Sequence, residues 1–197
     1  MSLSKQHDQR PEKLSLDYNQ LMVYQDIAKF IFSWLPNYTQ EIVIICIGSD
    51  RSTGDALGPI TGSLLTRWKP AFFTVYGTLA QPIHALNLTE QLNQINLNHP
   101  HAFIIAVDAC LGKATSVGKI TASIGALKPG LALKKKLPEV GDLHITGIVN
   151  ATTPVDYLSL QNTRLHLVME QAEVIARSLH YLHRTYLTHS NHSKIIN

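Results

Sequence analysis

Ile42-Val43-Ile44-Ile45-Cys46-Ile47 is followed by Gly48-Ser49-Asp50-Arg51-Ser52-Thr53-Gly54 and then by Asp55-Ala56-Leu57-Gly58-Pro59. A short, β-branched-rich apolar run of the first kind reads as a buried parallel strand. The polar, glycine-bounded stretch reads as a loop, and Asp55 is a residue type that caps helices. Leu57, Ile60, Leu64 and Leu65 then recur at helical steps, which predicts a helix to about Trp68. A second apolar run, Ala102-Phe103-Ile104-Ile105-Ala106-Val107, ends directly on Asp108. If both runs lie in one parallel sheet, their carboxyl ends share the edge where open α/β sheets bind ligands. Asp55 and Asp108, 53 residues apart in the chain, would then be neighbours in space.

The flanking sequence fits the same architecture. Residues 1–16 are polar and read as a disordered segment. Across residues 17–35, Leu21, Tyr24, Ile27, Ala28, Ile31 and Trp34 recur every three or four residues, an amphipathic helix ended by Pro36. Beyond the central helix, a strand is expected at 72–76, a loop at 77–82 and a helix near 85–95. Residues 118–124 and 143–149 read as strands, the second ending on Asn150. Residues 160–187 read as one long helix, and 188–197, with His189 and His192, as a disordered tail. Strands alternating with helices give a single α/β domain over 17–187, a three-layer α/β/α sandwich on a mostly parallel sheet.

Bulk properties exclude several functions. With 197 residues, 45% of them hydrophobic, the chain has material for one ample core. Its 17 basic and 14 acidic residues leave a net charge of +3, with Lys134-Lys135-Lys136 the single basic run. Three lysines fall short of a nucleic-acid patch and read as a solvated loop. No apolar stretch reaches the roughly 20 residues that span a bilayer, and residues 1–13 lack the apolar centre of a signal peptide. A cytoplasmic location is expected, without a nucleic-acid or membrane partner. Cys46 and Cys110 lack the paired spacing of a zinc site and read as free thiols. A nucleophilic role for Cys110, two residues past Asp108, would require a base beside it.

Four loops, 48–55, 77–84, 108–116 and 150–156, would converge at the carboxyl edge and bring Asp50, Asp55, His84, Asp108, Asn150 and Asp156 together. Two carboxylates a few ångströms apart can share a proton and supply one acid and one base for hydrolysis. Two carboxylates with a histidine can instead hold a divalent metal. Each aspartate also has a structural reading, Asp55 as a helix cap and Asp108 as a turn residue. The loop 48–54 has the placement of a phosphate cradle but lacks P-loop and dinucleotide spacing, and Asp50 and Asp55 would repel a phosphate. Arg51 could pair with either aspartate or face solvent. His144 falls early in its strand, away from the carboxyl edge, so His84 is the better third group.

The segment from Ile47 to Pro59, together with Tyr76-Gly77-Thr78-Leu79, Val107-Asp108-Ala109, Gly141-Asp142-Leu143-His144-Ile145-Thr146-Gly147-Ile148-Val149-Asn150 and Leu160-Gln161-Asn162-Thr163-Arg164-Leu165, resembles the YyaC-type sporulation protein family. That family is similar to the germination protease of spore-forming bacteria and, more distantly, to the hydrogenase maturation proteases. The resemblance implies a phosphorylase/hydrolase-like fold and a peptidase of sporulation or germination, acting on a spore protein in the forespore or spore cytoplasm. It implies catalytic roles for Asp55 and Asp108; Asp50, Arg51, His84 and Asn150, from their place in the same loops, are the expected substrate-binding or orienting residues. No resident cofactor is implied; the maturation enzymes bind the nickel of their substrate through acidic residues and a histidine, for which no histidine here is a match. The other reading is a non-catalytic sporulation regulatory or binding protein on the same fold. Substrate, cleavage site and oligomeric state stay open.

Overall fold

A computed structural model describes residues 10–36, 41–130 and 137–195, with side chains as far as Tyr186. The strands are β1 (Lys13–Asp17), β2 (Ile42–Cys46), β3 (Phe73–Tyr76), β4 (Phe103–Gly112), β5 (Lys119–Ile124) and β6 (Leu143–Ala151). The helices are α1 (Val23–Trp34), α2 (Leu57–Arg67), α3 (Leu88–Asn98), α4 (Asp156–Gln161) and α5 (Leu165–Ile195). All six strands form one sheet in the order β1-β5-β6-β4-β2-β3. β3, β2, β4 and β6 run parallel to one another, while β5 runs antiparallel to both β6 and β1. The expected mostly parallel three-layer sandwich is the architecture found.

Strand β2 shows why the sheet sits at the centre. Its side chains alternate between faces, and every one of its five residues is buried. Ile42, Ile44 and Cys46 join the larger core, built with α1, α2 and α5. Val43 and Ile45 join a smaller core on the opposite face, with Leu88, Leu92 and Ile95 of α3 and with Leu127 and Val140. Leu127 and Val140 bridge each other, so residues 125–130 and 137–141 form an arm over that face. A continuous apolar run has no solvent side, which places β2 between two layers of cover.

Several boundaries differ from the sequence reading. Residues 13–16, expected to be disordered, belong to β1, whose Leu14 and Leu16 pack on the larger core while its main chain pairs with β5. Two leucines in five residues give no visible period without that partner strand. Asp17 closes β1, so α1 starts at Val23, after Met22 turns the chain at φ 60°. The long carboxyl-terminal helix is two helices. At the end of α4, Asn162 Nδ2 donates to Leu158 O at 2.9 Å and Thr163 Oγ1 to Ser159 O at 2.8 Å. Such back-bonds compete with the helical ladder and favour a break. Helix α5 then runs to Ile195, past the expected start of a disordered tail at 188. Residues 1–9, the Lys134-Lys135-Lys136 loop and the side chains of His189 and His192 lie outside the described residues.

Gly77, at φ 83°, sits where β3 turns against β2: a Cβ there would stand 1.8 Å from Cys46 O. Both the left-handed backbone and the clash with main chain forbid a side chain. Gly77→Ala should therefore lower unfolding free energy by more than about 3 kcal/mol in urea titration. A loss under about 1 kcal/mol would mean that this contact yields freely.

Candidate active site

Strands β2 and β4 run side by side from the pair Ile42–Phe103 to the pair Cys46–Val107, and there they part. The Ile47 N–H still donates to Val107 O at 2.7 Å. Gly48, at φ 141°, then turns the chain away and donates its N–H to Ile83 O at 2.8 Å. Strand β4 does not stop. It continues to Gly112, paired on its other side with β6. Asp108, expected just past a strand end, thus lies inside a ten-residue strand whose neighbour on one side has left.

Asp55 is held over this gap by close backbone packing. A Cβ on Gly48 would stand 1.9 Å from Asp55 O, and one on Gly58 would stand 2.1 Å from Ile47 O. The two glycines let the start of α2 press directly onto the end of β2. Asp55 does not cap α2, which has no side-chain cap hydrogen bond. The turn over residues 51–56 does that work with main-chain acceptors, Ala56 N–H donating to Ser52 O at 3.0 Å and Leu57 N–H to Gly54 O at 3.4 Å. The Asp55 carboxyl instead accepts from the Ser49 amide and lines a cavity.

The two carboxyls sense each other. Burial pushes Asp108 well above the usual carboxylate range, and the charge of Asp55 pushes it further, against one N–H bond from Ala109 to Asp108 Oδ1 at 2.8 Å. Burial also raises Asp55, opposed by a hydrogen bond from the Ser49 amide and by the charge of His84. Asp108 is 8% exposed and Asp55 is half-buried. The two environments differ: Asp108 is the more deeply buried, and Asp55 has two groups that favour its anion, the Ser49 amide and His84.

His84 joins the pair as expected. Its loop is clipped by Asn87, whose Oδ1 accepts from His84 N–H at 2.8 Å and whose Nδ2 donates to Pro82 O at 3.0 Å. Asp50 and Arg51 do not join; both are exposed, and neither shifts the titration of Asp55 or Asp108. Asn150 is spent on structure: its Nδ2 donates to Ser159 O at 2.9 Å and its Oδ1 accepts from Ala151 N–H at 2.8 Å, tying β6 to α4. A phosphate cradle is not built either, because the loop amides of Gly48, Ser49, Arg51 and Gly54 donate to Ile83 O, Asp55 O, Ser49 Oγ and Leu160 O.

A cavity of about 520 Å³ opens beside the pair. Asp55, Cys110, Thr146, His144 and Asp156 supply its polar wall, and Ala109, Leu111, Leu127 and Leu160 much of its apolar wall. His144 was expected to lie away from the site. The cavity reaches it because the arm at residues 126–130 stands over β6 and extends the space back along that strand. Its Nδ1 lies 2.8 Å from Gly125 O, an acceptor, so Nδ1 carries the proton and Nε2 is the basic nitrogen of the neutral ring. The missed signal was alternation: His144 and Thr146 stand opposite Ala106 and Asp108 in the ladder. Burial, opposed by a hydrogen bond from Thr146, pushes the Cys110 thiol up, which disfavours the thiolate. Among the described residues no three His, Cys, Asp or Glu side chains are grouped to hold a metal ion. No helix among them is long and apolar enough to cross a membrane.

Residues 15–178 match the family described as Protein of unknown function (DUF1256). The chain belongs to this family. It is 53% identical over 146 residues to the uncharacterized protein YyaC of Bacillus subtilis strain 168, a match covering 74% of this chain and 71% of that one. Among solved structures it is similar to the [NiFe] hydrogenase maturation protease HycI from Thermococcus kodakarensis KOD1, at 16% identity and a TM-score of 0.44, covering 75% of this chain and 95% of that one. A likeness so remote carries no function to this chain.

The raised Asp108 has a consequence for stability. In the unfolded chain an aspartate ionises near 3.8, whereas the folded chain holds this proton to higher pH. Stability is therefore fullest below that value and is lost as pH rises toward the folded-state pKa. Asp108→Asn, which keeps the acceptor for Ala109 N–H, should make the protein more stable than wild type at pH 7 and lose that advantage near pH 3.5. Urea titrations of both proteins at the two pH values check this; a destabilised variant at pH 7 would contradict it.

Proposed function

We propose that this chain is a peptidase-like hydrolase whose Asp55 and Asp108 share one proton and cleave a protein substrate. The observation that carries the reading is the pair of interacting carboxyls, both raised by burial and one raised further by the other, with Asp55 lining a cavity. The Asp55 carboxylate takes a proton from water as the oxygen attacks the peptide carbonyl carbon. The Asp108 carboxylic acid gives its proton to the departing nitrogen as the C–N bond breaks. Asp55 is left protonated and Asp108 ionised, and one proton passing between them restores the starting state. His84 is a positioning residue, its charge favouring the Asp55 anion.

The motif likeness to the germination protease supports a spore protein as substrate and the forespore or spore cytoplasm as the place of action, with neither nucleic acid nor membrane as partner. The alternative, a non-catalytic binding or regulatory protein, draws support from the Asp108–Ala109 bond, which gives one aspartate a structural task. The Asp55 carboxyl has a similar bond from the Ser49 amide, but it also lines the cavity, which that bond does not explain.

Incubating the full chain with unfolded α-casein and with small acid-soluble spore proteins tests the reading. Asp55→Asn and Asp108→Asn should each slow cleavage by about 10²-fold or more. The double variant should be little worse than either single one, as befits groups acting as a unit. Turnover unchanged in both single variants would remove the aspartates from the chemistry, and no cleavage by wild type would favour the binding protein.

A further inference from the structure

We infer that the polypeptide acted on is held in extended form, as a strand added to the edge of β4 that β2 leaves bare, over residues Ala109 to Leu111. This rests on the peptidase reading for its substrate, and the main-chain geometry carries it. Successive residues of a strand aim their amide and carbonyl groups to alternate sides in the plane of the sheet. Val107 O accepts from Ile47, on the β2 side, so Ala109 also aims toward β2; beyond the register shift between Cys110 and Leu111, Gly112 O accepts from Thr152 N–H on the β6 side, so Leu111 aims toward β2 as well. Beyond Val107 there is no β2 residue to receive them. The Ala109 N–H is taken by Asp108 Oδ1. Among the described residues, Ala109 C=O and Leu111 N–H have no main-chain partner on that side.

The cavity wall points the same way. A space lying against one face of a strand touches alternate residues, whereas this one is lined by Ala109, Cys110 and Leu111 in succession. Ala109 and Leu111 pack toward the larger core, and the opposite wall is formed by Leu127, whose cluster lies on the other face of the sheet. The cavity therefore straddles the edge, with Asp55 also in its wall. An unpaired donor and acceptor flanked by apolar walls match an extended peptide, whose main chain supplies the hydrogen bonds and whose alternate side chains fill the space on either face. At about 520 Å³ the cavity is of a size that encloses a small ligand or a few residues.

The test selects peptides from a random dodecapeptide phage library against the full chain carrying Asp55→Asn, so that bound peptides survive. A selected peptide is then resynthesised with N-methyl groups placed one at a time. Methylation at alternate positions should weaken binding about tenfold or more, with little effect at the positions between. Leu111→Pro, which removes the edge donor, should weaken the unmodified peptide by a similar factor. If that variant melts early, amide exchange of the Asp55→Asn chain replaces it, with protection on peptide binding expected at Leu111. Methylation that acts without alternation, protection elsewhere, or failure to select any peptide would overturn the inference. So would a wild-type dimer that becomes monomeric with Leu111→Pro, which would show a second copy on this edge. Edge binding by a wild-type chain that cleaves nothing would keep the inference and remove the peptidase reading.

Discussion

One mismatch between neighbouring strands organises this molecule: β2 ends at Cys46, and β4 runs on to Gly112. Gly48 makes the divergence possible, since its φ of 141° and its contact with Asp55 O leave no room for a side chain. Everything at the site follows from that parting. It opens the sheet where Asp108 sits, brings the start of α2 over the gap, and leaves β4 with a half-bonded edge. The glycines of the 48–58 stretch serve this packing, and the amides of Gly48, Ser49, Arg51 and Gly54 are spent on the protein's own acceptors.

A second constraint is electrostatic. Two carboxyls in a poorly solvated place disfavour each other's ionisation, so the pair tends to keep a proton. Such an arrangement opposes folding at neutral pH and needs a core able to carry it. Here β2 is 0–1% exposed along its whole length, and Ile105, Ala106 and Val107, directly before Asp108, are at 0%. The rigid strand supplies stability on one side of Val107, and the exposed chemistry begins on the other.

The fold was legible because it rests on long, uninterrupted apolar runs: β2 and the first half of β4 have no solvent face, and α2 announces itself by helical spacing. The edge strand β1 was not legible, since its two leucines acquire meaning only beside β5. The break between α4 and α5 depends on the Asn162 and Thr163 back-bonds, which no periodicity reports. At the site, the two aspartates were readable from strand ends, and His84 from the loop at the same edge. His144 was misplaced because a position early in β6 sounds remote from the carboxyl edge, while the arm over that strand extends the cavity back to it. Asn150 was taken for a site residue at a strand end that in fact continues and is clipped to α4.

Asp108 is where backbone geometry and chemistry meet. Its Oδ1 satisfies the first N–H stranded by the departure of β2, so the first free group on the edge is the Ala109 carbonyl and the next is the Leu111 amide. Those two groups, an acceptor and then a donor, are what a single residue of an added strand would pair with. An extended chain bonded there has one register, and it runs past the two aspartates with its neighbouring peptide unit beside them. A side chain that merely tidied an unpaired amide would serve equally well as asparagine or serine. A carboxyl raised well above the usual range, by burial first and by the charge of Asp55 beside it second, does more: it fixes where the free edge starts and favours its acid form at that point.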